Sequence, residues 1–217
     1  MTKEIKIVLP AYKMLYSIAF FVILSLVRSI TYTEEIGIAM QAPVAALTAV
    51  FCADTYIMEI QSGRREIFRL CDDRKQTLVI YRRLEIQMAY LIAVSVPGYL
   101  MFFWQNPYPY GNTLRAELFG ITIAVIGVTV FFWGMMSVTV CSLLRNQWAG
   151  IGISLVLWMG INSTAGDRLL GKWNVFSFAF HCLGQDADFG WLCGQAVCIV
   201  LGAVMVLLTP YIIRKRG

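Results

Sequence analysis

At 217 residues the chain is 59% hydrophobic and only 14% charged, with a mean hydropathy of +0.67. Soluble domains carry about 25% charged residues, so this composition belongs to the membrane class and leaves no room for a large soluble catalytic domain as well. The net charge of +5 does not argue for nucleic acid, because the basic residues are distributed as a membrane topology requires.

The first thirteen residues, MTKEIKIVLPAYK, alternate charged and apolar groups. They suit an interfacial lead-in (1–13) on the inner leaflet before the chain turns into a first span. A span takes about 20 apolar residues, and six windows qualify: 11–30, 36–58, 84–103, 118–144, 148–162 and 191–213. The first resembles a signal peptide in having Lys3, Lys6 and Lys13 ahead of an apolar run. It lacks a small-x-small cleavage site and is read as a helix that stays. With the N-terminus inside, fourteen of the eighteen Lys and Arg fall on the cytoplasmic side: Lys3, Lys6, Lys13, seven in 62–83, Arg145, Arg214, Lys215 and Arg216. Arg28, Arg115, Arg168 and Lys172 fall outside. The positive-inside rule therefore predicts an all-α, polytopic protein of six spans, with both termini cytoplasmic.

At the end of the second window stands Asp54, one turn above the inner surface, where it faces water, Arg64 or Arg65. An ionisable group at such depth is a candidate for the transport path. The stretch SGRREIFRLCDDRKQTLVIYRR, residues 62–83, is too polar to cross a bilayer. Ser62 caps a short helix with Glu66 in its first turn, and Gly63 lets the chain bend away from the second span. Ile67, Phe68, Leu70 and Cys71 group on one side of that helix, Arg64, Arg65 and Arg69 take the rest, and Asp72-Asp73 ends it. After it, RKQTLVIYRR brackets a short apolar patch with basic residues, suiting the inner headgroups. Two readings stay open: a solvated positive-inside loop, or a docking knob of apolar anchors in a charged rim.

Pro97-Gly98 inside the third window predicts a kink or a loosened turn. Residues 104–117 form a turn-rich outer loop with Tyr108 and Tyr110 at aromatic-belt depth. Gly120, Gly127 and Gly134 recur every seven residues, and Gly190, Gly194, Cys198 and Gly202 every four, spacings that let helix backbones approach. The second set fits a subunit-packing face or packing within one chain. Only Arg145, Asn146 and Gln147 separate the fourth and fifth windows, which predicts a tight antiparallel hairpin. Residues 163–190 mix apolar and polar groups and suit an outer re-entrant or amphipathic piece.

Catalytic chemistry finds little support. GDRLLGKW, residues 166–173, has the spacing of a phosphate loop but puts Trp173 where Ser or Thr would bind magnesium, with no preceding strand and an outside location. His181 is the sole histidine and has no ligand spacing around it, so no metal is expected. The six cysteines show no CxxC; only Cys182 and Cys193 fall on or near the outer face, and whether they are bonded to each other stays open.

EIQSGRREIFRL followed by RKQTLVIYRRL resembles the segment after span two of ABC-2-type transporter permeases, in which a Glu-x-x-x-Gly run leads into a coupling helix. GMMSVTVCSLLRNQWAGIGISLVLW, residues 134–158, is similar to that family's span-four/span-five hairpin, and the helix ending PYIIRKRG to its last span. The resemblance covers nearly the whole chain. It implies the architecture of a type V exporter: a six-span subunit in a bacterial cytoplasmic membrane, paired with a second permease copy, identical or paralogous. It also implies two copies of a cytoplasmic ATP-binding subunit that hold the ATP and magnesium, with no cofactor in this chain. Carried onto this sequence, segment 59–83 holds the docking element, with Glu59, Gly63, Arg64, Arg65, Glu66, Ile67, Phe68, Arg69 and Leu70 as its residues and Arg145, Asn146 and Gln147 as a second contact. The expected function is export of an amphipathic substrate, a peptide first. Lipid-linked glycan or drug export, or a six-span sensor or scaffold without transport, are the alternatives.

Overall fold

The computed structural model describes residues 2–55, 73–108, 115–181 and 190–216, and these form a helical bundle with no strand among them. Among the described residues, three short helices and a 3₁₀ turn accompany the longer ones. Helix α1 spans Thr2–Val8. Pro10, extended at φ −65 and ψ 153, separates it from α2, Ala11–Val27; proline fixes that φ and suits the start of a helix. Helix α3 spans Glu35–Cys52. Its first acid turns back, Glu35 Oε2 accepting from the N–H groups of Thr31 (2.8 Å) and Tyr32 (3.3 Å), and so closes the turn from α2.

Helix α4 spans Asp73–Phe103 and begins well before the apolar window 84–103. A hydropathy window finds the slab of apolar side chains, whereas the helix continues through the basic residues beyond it. Pro97 lies inside α4 and does not end it. Gly98, beside it, seats α2, because a Cβ there would run into the Phe21 ring. Helix α5 spans Arg115–Leu144 and α6 spans Gln147–Ile161. The turn between them is as short as expected. Arg145 takes a left-handed φ of 53, and Asn146 Oδ1 caps α6 by accepting from Trp148 N (3.0 Å) and Ala149 N (3.3 Å). Gly150 then lies so close to Cys141 that any side chain would collide with it.

After α6 the chain bends by 72° into Thr164–Trp173, comprising α7 (Thr164–Leu170) and a 3₁₀ turn (Gly171–Trp173). Gly171 sits at φ 51, the left-handed region that favours glycine. Helices α8, Ser177–His181, and α9, Trp191–Arg216, complete the chain. Helix α5 is the hub, with α3, α4, α6 and α9 all packed on it. Helix α2 lies mainly along α4.

Among the described residues, four helical stretches are long and apolar enough to cross a membrane: Glu35–Cys52, Lys75–Phe103, Ala116–Leu144 and Trp191–Ile212. The bent pair Gln147–Ile161 with Thr164–Trp173 makes a fifth if it is one span. Ala11–Val27 is apolar but has only 17 residues. The protein is thus an all-helical chain with four to five candidate membrane-spanning helices.

Exposed aromatics mark both ends of the bundle: Trp104, Tyr108 and Trp173 at one, Tyr12, Trp148 and Tyr211 at the other. Rings with one apolar and one polar aspect favour the two interfaces of a bilayer. At the first end, Tyr32 and Tyr108 form a backbone bridge, and Gln105 accepts from Ile30 N while donating to the carbonyls of Ser25 and Arg28. This loop end is stitched by backbone. The opposite, basic end gathers α1, the last turn of α3, the 145–146 turn and the end of α9.

Candidate functional site

At the basic end two charges are buried. Lys13, third residue of α2, is 3% exposed, and Asp54, just past α3, is 8% exposed. Lys13 Nζ lies 2.6 Å from Asp54 Oδ1 and also donates to the carbonyl of Phe51 at 3.0 Å. The same ammonium stands 4.9 Å from the centre of the Phe51 ring, within cation–π range. Three groups at the exit of α3 (the Asp54 carboxylate, the Phe51 carbonyl and the Phe51 ring face) therefore converge on one ammonium. The helix C-terminus carries negative partial charge, so the carbonyl adds to the attraction.

The surroundings hold that arrangement. Tyr16 packs edge-on to Phe51 at 5.8 Å, and Tyr90 of α4 stacks on its other side at 5.7 Å. The Tyr90 hydroxyl shares a 2.8 Å hydrogen bond with Ser17 of α2. Beside Asp54, Thr55 donates to Gln87 Oε1 of α4 at 2.7 Å. Helices α2, α3 and α4 are thus joined at one level by side-chain hydrogen bonds. Asp54 faces Lys13, the partner that hydropathy reading treats as a solvated topogenic charge.

A second polar centre lies toward the loop end. Gln41 of α3 is fully buried; its Oε1 accepts from Ala179 N at 3.0 Å, and its Nε2 reaches Val175 O (3.4 Å) and Thr129 Oγ1 (3.5 Å). Asn174 accepts from Phe176 N at 3.0 Å and donates to Ile161 O at 3.3 Å. Ser177 donates to Trp191 O at 2.8 Å. Residues 174–179 are therefore tied into the bundle between α3, α5, α6 and α9, and Val175, Phe176 and Phe178 are buried. The Phe176 ring stacks on Trp133 of α5 at 5.8 Å. Residues 174–179 thus enter the helical core and do not lie along its surface.

The sequence-derived site residues separate into groups. Glu59, Gly63, Arg64, Arg65, Glu66, Ile67, Phe68, Arg69 and Leu70 lie outside the described residues, as do Tyr110 and Cys182 and with it any pairing to Cys193. Arg145 is exposed, Asn146 is the cap of α6, and Gln147 is half-buried as its first residue. Gly194 and Gly202 are filled by the chain itself: a Cβ at Gly194 would meet Asn174 and Ser177, and one at Gly202 the Phe131 ring. These two glycines serve packing within the chain, whereas Gly152, Gly160 and Gly120 face open space. Gly190 is half-buried at the start of α9.

Residues 166–170 sit inside α7, with Gly166 packed on the carbonyls of Gly160 and Ile161. A phosphate loop instead precedes its helix with N–H groups free. Among the described residues no group of three His, Cys, Asp or Glu is placed to hold a metal.

Compared with family models, with curated proteins and with solved structures, the chain finds no match.

Proposed function

We propose that this chain is the six-span permease subunit of an ATP-driven exporter of the ABC-2, type V kind. In this reading α2 is the first span and the bent α6–α7 pair the fifth, and both termini are cytoplasmic. What supports it is the sequence resemblance together with one geometric observation. The lead-in α1, Asp54 at the exit of α3, the start of α4, the Arg145–Asn146 turn and the last turns of α9 gather at one end of the bundle. A partner docking on the basic segment from the cytoplasm would meet all of them together.

ATP hydrolysis then belongs to a separate cytoplasmic subunit, present in two copies, and a second permease copy completes the pore. Energy reaches the spans mechanically through 62–72. The substrate is an amphipathic peptide moved out of a bacterial cell or its membrane; lipid-linked glycan or drug export by the same architecture is the alternative. The test is mass spectrometry of what co-purifies with the tagged chain from gently solubilised native membranes. A stoichiometric P-loop ATPase, lost in the Phe68→Asp/Leu70→Asp variant, is the expected result. Its absence under conditions that preserve complexes would sink the exporter and leave a sensor or scaffold.

A further inference from the structure

Between α6 and α8 the chain makes a short excursion whose two ends are fastened together. Gly166 packs so tightly on the carbonyls of Gly160 and Ile161 that a Cβ would collide with them, which folds α7 against the end of α6. Ser163 caps α7, its Oγ accepting from Gly166 N at 3.0 Å. Beyond the 3₁₀ turn, the buried Asn174 donates from Nδ2 back to Ile161 O at 3.3 Å and to Asp167 Oδ1 at 3.4 Å. The excursion is thereby held at 72° to α6. What it turns outward is mixed in character. Leu169 is 86% exposed and Trp173 62% exposed, and Leu170, Arg168 and Lys172 are exposed beside them. Asp167, the one acid in 164–173, is half-buried and turned to Asn174.

We propose that α7 and the 3₁₀ turn form a lipid anchor at the loop end of the bundle: Leu169, Leu170 and Trp173 lie among acyl chains, and Arg168 and Lys172 bind the phosphates of anionic phospholipids in that leaflet. The anchor needs only a bilayer around the bundle. It does not depend on the exporter reading or on which side the loop end faces.

Depth is the first support. Trp148, exposed in the first turn of α6, marks the interface at the basic end, and α6 runs on from there to Ile161. At 1.5 Å per residue that is a rise of about 20 Å, against about 30 Å for a hydrocarbon core. The residues Thr164–Trp173, inclined at 72°, add about 5 Å when α6 stands upright. The exposed side chains of the excursion therefore stand at the edge of the apolar layer and not clear of it. A helix in that position has acyl chains on one side and headgroups on the other, the setting in which an amphipathic helix lies in the plane of the interface. Long cationic side chains keep their stems in the apolar layer there and carry their heads to phosphate. The remaining shortfall of about 5 Å is met where headgroups are drawn inward toward the two cations.

Charge and composition name the same occupant. Two outward cations stand against one acid that faces the bundle, so the exposed side of the excursion is basic. Trp104 and Tyr108, exposed at the same end, continue the belt of rings to which Trp173 belongs. A face for a soluble protein would instead hold its apolar anchors clear of the bilayer.

The experiment reads Trp173 in the full chain, reconstituted into vesicles of phosphatidylcholine with phosphatidylglycerol. Its emission is the difference between wild type and Trp173→Phe, since the chain has other tryptophans. Lipids brominated in their acyl chains should quench that difference signal, and aqueous acrylamide should leave it nearly untouched. Quenching by acrylamide alone would put α7 in water, as a face for a soluble partner, and overturn the anchor. Shielding from both quenchers would mean that protein covers it, and would overturn it equally. The cations are read by placing the bromine on one lipid at a time, at equal mole fraction. In the wild type, brominated phosphatidylglycerol should be preferred over brominated phosphatidylcholine by at least about fivefold next to Trp173. Arg168→Gln/Lys172→Gln should bring that preference to about one, while Arg168→Lys keeps most of it. No preference in the wild type, or one that survives the double variant, would overturn the phosphate site. Should the double variant fail to insert, the wild-type comparison of the two brominated lipids still decides.

Discussion

Arginine placed on the outward face of α9 reports what solvent that face meets. Val200 is 61% exposed and Leu207 77% exposed, and both lie in the stretch Trp191–Ile212. At 1.5 Å per residue, Val200 is about 13 Å from one end of that stretch and about 18 Å from the other, close to the centre, while Leu207 is only about 7 Å from Ile212. An arginine at the centre of a span costs about 2.5–3.5 kcal/mol on the insertion scale, and losing valine there adds a few tenths. Val200→Arg should therefore cost about 3 kcal/mol, on the order of a hundredfold in the insertion equilibrium of α9. At Leu207 the long side chain reaches the interface, which holds the cost to about 1 kcal/mol. The assay is apparent insertion free energy of the α9 segment in a translocon host, paired with the amount of full-length variant retained in carbonate-washed membranes. Equal tolerance of arginine at 200 and 207 would refute the reasoning, because a surface in water charges about 0.5 kcal/mol or less wherever it is placed.

Two glycines on α6, two residues apart, should respond in opposite directions. Gly150→Ala forces a Cβ onto Cys141, including its backbone at 2.9 Å, and should destabilise by about 1–3 kcal/mol; Gly152→Ala meets nothing within 4 Å and should be neutral or gain up to about 1 kcal/mol of helix propensity, both read from thermal unfolding in detergent. Gln41→Leu leaves the Ala179 N–H without its acceptor in the core, so a loss of about 1–3 kcal/mol and faster exchange at residues 174–181 are expected. Asn146→Ala removes the cap of α6 and should cost about 1 kcal/mol in the same unfolding measurement. On the exporter proposal, Arg64→Glu/Arg65→Glu should abolish ATP-driven export while leaving the amount of membrane protein unchanged, measured by substrate accumulation beside immunoblotting; unchanged export would remove the proposed docking role.

Hydropathy locates the helices because a span must carry its apolar residues in one run. The windows ending at residue 144 and beginning at residue 191 coincide with the end of α5 and the start of α9. It misplaces the start of α4 by eleven residues, since a helix that projects beyond the apolar slab keeps its hydrogen bonds while its side chains turn basic. The site is less legible. Lysine is almost never buried without a partner, so Lys13 counts as a topogenic charge, and its partner lies 41 residues away. A signal was present all the same. Lys13 stands at the start of one apolar run and Asp54 at the end of the next, so two antiparallel helices bring opposite charges to one depth. Gln41 and Thr48 of α3 and Thr55, three residues past its end, recur at seven-residue spacing, and all three are buried. Such a polar stripe is invisible to an average over the window. The fate of the glycines was equally hidden, because spacing tells that two backbones approach and not whose backbone it is.

The distribution of polarity argues for a lipid solvent independently of hydropathy. In water a bundle buries its leucines and exposes its serines, because the hydrophobic effect rewards the area removed. Here Leu15, Leu26, Val156 and Leu207 are exposed, while Ser17, Ser95, Ser137, Ser142 and Thr209 are buried. Their hydroxyls find partners inside: Ser137 reaches the Ala49 carbonyl across from α5 to α3 at 2.5 Å, and Ser95 bonds Leu91 O of its own helix at 2.8 Å. Without a hydrophobic drive between helices, small polar contacts and close packing are what hold a bundle in lipid, at about 0.6 kcal/mol for an average hydrogen bond. Neutral contacts of that size are numerous here and individually replaceable. The one full ion pair described among them differs in kind: burying two charges costs several kcal/mol each, and the 2.6 Å Lys13–Asp54 contact with the Phe51 carbonyl beside it is what offsets that cost.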